Sequence, residues 1–117
     1  MTRQTLSKKA IFNPDINRLA KRNQVTISGK IIDRGAVRHT PAGIMVIEFK
    51  LRHTSDQEEA SMLRSIEFEL SVIAMAEMAQ KIAQIASETY VELSGFMTKK
   101  NRSNNQLILH VLDVKFI

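Results

Sequence analysis

Residues 66–85, with the sequence IEFELSVIAMAEMAQKIAQI, decide the fold because the spacing of their apolar residues changes part-way along. From residue 66 to residue 72 every second side chain is apolar, which predicts a β-strand. From residue 75 onward the apolar residues recur at intervals of three, four and three, so they share one face of a helix that we predict at about residues 74–86. These helical residues are Met75, Met78, Ile82 and Ile85.

Two strands precede this unit. The first, residues 24–34, contains Gly29, which indicates a bulge or a sharp bend within the strand. A turn at Thr40-Pro41-Ala42-Gly43 follows, because proline presets φ at its second position and glycine tolerates a positive φ. Residues 47–52 then alternate between apolar and charged side chains and predict a half-buried antiparallel strand.

Two strands follow the helix, at residues 90–98 and 106–116. The last strand is apolar on both faces, which indicates burial on both sides or a contact with another subunit. We interpret the polar stretch 54–61 as a loop, and residues 99–105 as a basic, turn-rich loop.

The order of these elements is strand-strand-strand-helix-strand-strand within residues 23–117. This is the layout of the OB-fold, an all-β, five-stranded Greek-key barrel with one helix between the third and fourth strands. The open face and the loops of such barrels bind oligonucleotides. The sequence therefore predicts a protein that binds single-stranded nucleic acid.

Composition narrows the class of protein. A chain of 117 residues predicts a single barrel domain, and without cysteine it has neither a disulfide framework nor a thiolate zinc site. Its longest apolar runs are too short to span a membrane, and its N-terminus lacks the apolar region of a signal peptide, so we expect a cytoplasmic protein. The three histidines, His39, His53 and His110, have no spacing typical of a metal site or a catalytic triad. We expect no enzyme activity, no metal and no cofactor.

The formal net charge of +5 lies entirely in residues 1–22, which contain six basic residues and one acidic residue. Residues 23–117 contain eleven of each and are neutral overall. We therefore interpret residues 1–22 as a basic N-terminal arm outside the barrel. The arm is a disordered segment, a segment foreign to the protein, or a short helix starting at Asn13-Pro14.

Several short motifs resemble one family of proteins. The first motif lies in the first predicted strand and the second in the turn at residues 40–43. The others lie in the second strand, directly after it, and near the end of the fourth strand. They are NQVTISG at 23–29, TPAGI at 40–44, FKLRH at 49–53, SDQEEA at 55–60 and GF at 95–96. Together they resemble the primosomal replication protein N (PriB) family, and the Gln-Glu-Glu-Ala element is the most specific of them.

This resemblance implies a homodimeric OB-fold protein that binds single-stranded DNA. It also implies partnership with the PriA helicase and other primosome proteins at stalled replication forks. The family's basic DNA-binding position in the first loop matches Arg38. The basic residues of the family's long hairpin between its last two strands match Lys99, Lys100 and Arg102 in type.

The basic residues of the barrel each have two interpretations. One cluster contacts the phosphates of a DNA backbone, or it forms an ordinary solvated turn; it consists of Lys99, Lys100 and Arg102. Arg34 and Arg38 flank the first loop, which also borders the ligand groove of an OB-fold. Basic residues on the strands extend this track, or they pair with the glutamates that share their surfaces. These strand residues are Lys50 and Arg52, with Lys30 and Arg64 beyond them.

Few rings are available for stacking on bases. The chain has no tryptophan, and Phe49 and Phe68 occupy apolar positions of their strands, which predicts that both lie in the core. Tyr90 and Phe96 are the candidate stacking residues, or they contribute to a dimer contact. The resemblance implies stacking aromatics near positions 62 and 67, where this chain has Met62 and Glu67, so we expect weakened DNA binding there.

Two classes of function stay open on the sequence. The first is a single-stranded DNA-binding accessory of the replication-restart primosome. The second is an OB-fold adaptor whose main ligand is another protein and which binds nucleic acid weakly. A general single-stranded nucleic-acid-binding protein is a further alternative.

Overall fold

The computed structural model describes residues 21–117, which form a closed β-barrel with one short helix. Six strands and the helix α1 follow one another along the chain. They are β1 (Val25–Ile32), β2 (Arg38–His39), β3 (Met45–Glu59), β4 (Met62–Met75), α1 (Glu77–Gln84), β5 (Tyr90–Asn101) and β6 (Asn104–Phe116). Five long strands with the helix between the third and fourth of them confirm the predicted OB-fold. The extra strand β2 escaped prediction because it contains only two residues.

The strand order is β1-β5-β6-β4-β3-β2, and a further pairing of β1 with β3 closes the barrel. All pairs are antiparallel except β4 with β6. Lys30 pairs with Tyr90 of β5 on one side and with Arg52 of β3 on the other, so β1 changes partner at this residue.

Gly29 lies beside this change of partner. Of the predicted bulge or sharp bend, the bulge is wrong, because the pairing of β1 with β5 continues through Gly29 without a shift of register. A side chain is excluded here for another reason: a Cβ atom at Gly29 would lie 2.5 Å from the backbone oxygen of Arg52. Glycine therefore allows β3 to approach β1 where the barrel closes. The strand also ends at Ile32, two residues earlier than predicted.

The core confirms the alternation that the sequence predicts in the second strand. Ile47, Phe49 and Leu51 are buried, whereas the charged residues between them face outward. Val72, Val91, Leu93 and Leu109 complete the barrel interior from the other strands. Buried apolar area of this kind supplies most of the stability of a small domain.

The predicted loop at residues 54–61 is instead a hairpin. β3 and β4 stay paired from Val46 opposite Met75 to Glu59 opposite Met62, and only Ala60 and Ser61 lie between them. Both have positive φ, 55° and 63°, as the tight two-residue turns of β-hairpins require. The prediction was wrong because polar residues in a strand that leaves the barrel resemble a loop in composition.

The helix is shorter than predicted. It runs from Glu77 to Gln84, and Met75 belongs to β4, where it pairs with Val46. Ala76, with φ 57°, separates the strand from the helix. Ala79 and Ile82 are buried against the end of the barrel, so the apolar face that the spacing predicts is real, but it starts one turn later.

The predicted basic loop at residues 99–105 is also mostly strand. β5 continues to Asn101, β6 begins at Asn104, and Arg102 and Ser103 make the turn. Residues 1–20 lie outside the described residues, and with them most of the predicted arm and its proposed helix at Asn13-Pro14. No helix within residues 21–117 is long and apolar enough to cross a membrane.

Candidate nucleic-acid interface

The tip of the β5–β6 hairpin brings three basic residues together. Lys99, Lys100 and Arg102 are all exposed, and none of them forms an ion pair with another residue of the described chain. The Lys99 ammonium donates a hydrogen bond to the backbone oxygen of Arg102, at 3.4 Å. Three unneutralised charges on one hairpin form a surface that favours a phosphate backbone.

The shape of this tip is set by asparagine. The side-chain oxygen of Asn101 accepts hydrogen bonds from the backbone N–H and the hydroxyl of Ser103, both at 3.1 Å. The side-chain oxygen of Asn104 accepts one from the backbone N–H of Gln106, at 2.8 Å. Such local hydrogen bonds are the reason asparagine favours turns.

Three exposed arginines of strands β2, β3 and β4 are paired with glutamates. Arg38 lies 2.5 Å from Glu48, and Arg52 lies 3.2 Å from Glu69. Arg64 pairs in the same way with Glu59, at 2.6 Å. Exposed pairs of this kind contribute little to stability, but each one offsets a positive charge that could otherwise attract phosphate. Lys50 of β3 is half-buried and has no ion-pair partner within residues 21–117.

Arg34 has a structural contact. Its guanidinium donates hydrogen bonds to the backbone oxygens of Ile82, at 3.0 Å, and of Ile85. Ile82 lies in the last turn of α1 and Ile85 directly follows the helix, where backbone oxygens have few partners and the helix dipole favours a positive charge. Arg34 thus holds the helix to the first loop.

The two candidate stacking residues lie in different surroundings. Tyr90 is 55% exposed, and the Lys30 ammonium lies over its ring, 5.4 Å from the ring centroid. Phe96 is half-buried and stacks against the ring of His110, with the centroids 4.9 Å apart and the planes 11° from parallel. It lines an apolar groove of about 500 Å³ between the start of α1 and strand β6. One face of Phe96 is therefore already covered.

Phe49 confirms the prediction of a core position, whereas Phe68 does not. Phe68 is 40% exposed and packs beside the ring of His53, at 5.0 Å between centroids. The prediction was wrong because residue 68 lies in the part of β4 that extends beyond the barrel in the β3–β4 hairpin. At the end of that hairpin Met62 and Leu63 are 66% and 74% exposed.

Sequence reasoning gave little weight to Lys30, because its contact with Tyr90 spans sixty residues and depends on strand register. The only available signal was its basic character on the first strand. Within residues 21–117, no three His, Cys, Asp or Glu side chains group closely enough to hold a metal ion.

Comparison with known proteins shows the family. A family model described as another single-strand binding protein family matches residues 23–113. The replication restart protein PriB of Nitrosomonas europaea is 54% identical over 107 residues, covering 92% of this chain and 99% of that protein. The chain belongs to the PriB family.

A second relative agrees with this membership, and a solved structure agrees with the fold. PriB of Bordetella pertussis is 30% identical over 95 residues, which cover 81% of this chain and 89% of that protein. The solved structure of PriB from Ralstonia solanacearum superposes with a TM-score of 0.76 at 24% identity, covering 82% of this chain and 98% of that one. The resemblance to PriB and the OB-fold that it implies are both confirmed.

Proposed function

We propose that this PriB-family chain is a single-stranded DNA-binding accessory of the replication-restart primosome. In this role it acts in the cytoplasm as a homodimer with the PriA helicase and other primosome proteins. Its curated relatives are named for replication restart, and the matching family model is described by single-strand binding. The chain is a binding protein without enzyme activity in this proposal.

The observation that carries the proposal is the β5–β6 hairpin. Its three exposed basic residues, Lys99, Lys100 and Arg102, have no acidic partner in the described part of the chain. In an OB-fold this hairpin borders the ligand groove. Counterion release from the bound strand then supplies the affinity, so the barrel does not need a net positive charge.

A second function, an adaptor for another protein with weak nucleic-acid binding, is favoured by the outer face of β2, β3 and β4. There Arg38 and Arg52 are neutralised by Glu48 and Glu69, and Glu67 adds a further negative charge. Such a face repels phosphate as much as it attracts it. The exposed apolar side chains of Met62 and Leu63 at the hairpin end suit a protein partner.

Side-by-side affinities separate the two functions. Fluorescence anisotropy would measure binding of the full chain to a labelled oligothymidylate, and surface plasmon resonance would measure its binding to purified PriA. The primosome-accessory function predicts binding to both ligands. Replacing Lys99, Lys100 and Arg102 together with alanine then weakens binding to DNA and spares binding to PriA.

The matched control replaces Lys81 and Lys115, which are exposed on α1 and β6 away from the hairpin, with alanine. This control tests whether general loss of charge explains the effect. Binding to PriA without measurable binding to DNA at low salt would contradict the proposal and favour the adaptor.

A further inference from the structure

One row of side chains crosses three strands on the outside of the barrel, away from the β5–β6 hairpin. Lys30 of β1 stands opposite Tyr90 of β5 and opposite Arg52 of β3. Residues in register on neighbouring strands project from the same face of a sheet, about 5 Å apart. The row therefore places one aromatic ring and two cations side by side on the surface.

The geometry of the row suits a nucleotide. The Lys30 ammonium lies 5.4 Å from the centroid of the Tyr90 ring, within the range of a cation–π contact, and it leaves the tyrosine 55% exposed. Next to the ring, Lys30 and Arg52 line an open depression of about 280 Å³ that also includes Ser87. A base stacked on the ring would bring its phosphates within reach of these side chains.

Acidic residues limit the charge of this depression. Asp33 and Glu88 line it together with Lys30 and Arg52, and Arg52 also pairs with Glu69. Two cations thus meet three carboxylates, so the row has no excess of positive charge. Stacking on the ring, rather than counterion release, has to supply most of the binding free energy here.

We propose that Tyr90, with Lys30 and Arg52 beside it, forms a stacking subsite for one base of single-stranded DNA, distinct from the β5–β6 hairpin. This inference rests on the proposed DNA-binding function. It assigns the two surfaces different roles: the hairpin attracts the backbone, and the Tyr90 row holds a base. Loss of the ring should therefore lower affinity without changing its salt dependence.

The composition of the chain offers a direct test. Tyr90 is the one tyrosine of the whole sequence, and the sequence has no tryptophan, so intrinsic fluorescence reports on this ring alone. An oligothymidylate of about 16 nucleotides, the upper site size of an OB-fold, is titrated into the full-length protein. Tyrosine emission, corrected for absorption by the DNA, is followed in parallel with the anisotropy of a labelled oligonucleotide.

We expect emission to be quenched in step with binding. Replacing Tyr90→Ala should weaken affinity by about 5- to 150-fold, the range measured for loss of one stacked base. Tyr90→Phe keeps a ring and should bind like the wild type, because stacking needs the ring and not the hydroxyl. Both variants should retain the salt slope of the wild type.

Two results would overturn the inference, and they are distinguishable. Saturable binding with unchanged tyrosine emission would overturn the subsite and leave the proposed function standing. No binding by anisotropy would overturn the proposed function and the subsite together. If Tyr90→Ala fails to fold, quenching of the wild-type emission still decides between these outcomes.

Discussion

At the scale of single residues, Arg34 shows how a basic side chain near a ligand groove can serve the fold. Its guanidinium donates to the last carbonyls of α1, at Ile82 and Ile85, and is part-buried there. Removing it takes one donor from each oxygen, although the Ile82 oxygen still accepts from the backbone N–H of Ile85. Hydrogen bonds from charged groups typically contribute about 1.5–3 kcal/mol.

We therefore expect Arg34→Ala to lower the free energy of unfolding by about 1.5–3 kcal/mol in urea denaturation. Its affinity for single-stranded DNA should stay near that of the wild type. Arg102→Ala, which removes an exposed arginine at the hairpin, is the control and should change stability by less than about 0.5 kcal/mol. If Arg34→Ala were as stable as the wild type and bound DNA more weakly, Arg34 would instead belong to the nucleic-acid interface.

The sequence predicts the burial of individual residues well where the alternation of a strand determines which side chains face the core. Ile47, Phe49 and Leu51 are buried as their alternation requires. It does not reveal the role of Arg34, because the carbonyls that this residue contacts lie 48 and 51 positions further along the chain. Contacts of that kind depend on tertiary packing, which no local pattern encodes.

At the scale of elements, the turn of the β3–β4 hairpin holds two residues in a strained backbone conformation. Ala60 and Ser61 both adopt positive φ, a conformation that side chains with a Cβ disfavour. Asn-Gly is the preferred pair in a two-residue turn with positive φ at both positions. Each residue held in the left-handed region costs on the order of 1 kcal/mol.

The double variant Ala60→Asn and Ser61→Gly should thus raise the free energy of unfolding by roughly 1 kcal/mol. Thr54→Gly is the control, because it places glycine inside β3 and should lower stability by about 0.5–1 kcal/mol. Thermal denaturation of both variants measures the difference. Destabilisation by the turn variant would mean that residues 60 and 61 do not adopt this turn.

The order and type of the elements were predictable, but their ends were not. Alternation and helical spacing predict the five long strands and α1 from side chains that face the core. The extra length of β3 and β4 is held by backbone pairing in a polar hairpin, where no core selects apolar residues. The same reason explains why Lys99 and Lys100 were assigned to a loop rather than to β5.

At the scale of the whole molecule, β6 leaves apolar side chains uncovered. Leu112 and Phe116 of β6, and Ile117 directly after it, are 65%, 69% and 75% exposed, although Leu109 and Val111 of β6 are buried. Apolar clusters on a small domain are typical of a surface that meets a partner. A second copy of the chain would cover them symmetrically.

Light scattering at micromolar concentration should accordingly give the mass of a dimer. Replacing Leu112 and Phe116 with glutamate should shift the protein to a monomer, since like charges would then face each other. Met62→Glu and Leu63→Glu, on exposed residues of the β3–β4 hairpin, form the matched control and should leave the dimer intact. A monomeric mass for the wild type would rule out this account of β6.

The charges of the barrel balance over the whole domain, with eleven basic and eleven acidic residues from residue 23 onward. Three of these arginines are already paired with glutamates. Affinity for a phosphate backbone then has to come from where the unpaired charges lie rather than from their sum. The β5–β6 hairpin is where three of them meet.

The most direct test of this account is a salt titration of oligonucleotide binding. The logarithm of affinity is compared with the logarithm of salt concentration for the wild type and for the triple alanine variant of Lys99, Lys100 and Arg102. We expect the triple variant to bind more weakly and its slope to shrink by about 0.7 per lost contact, or about 2 in all, for a single strand. The variant of Lys81 and Lys115 should keep the wild-type slope. An unchanged slope in the triple variant would contradict the central claim that the hairpin binds the DNA backbone.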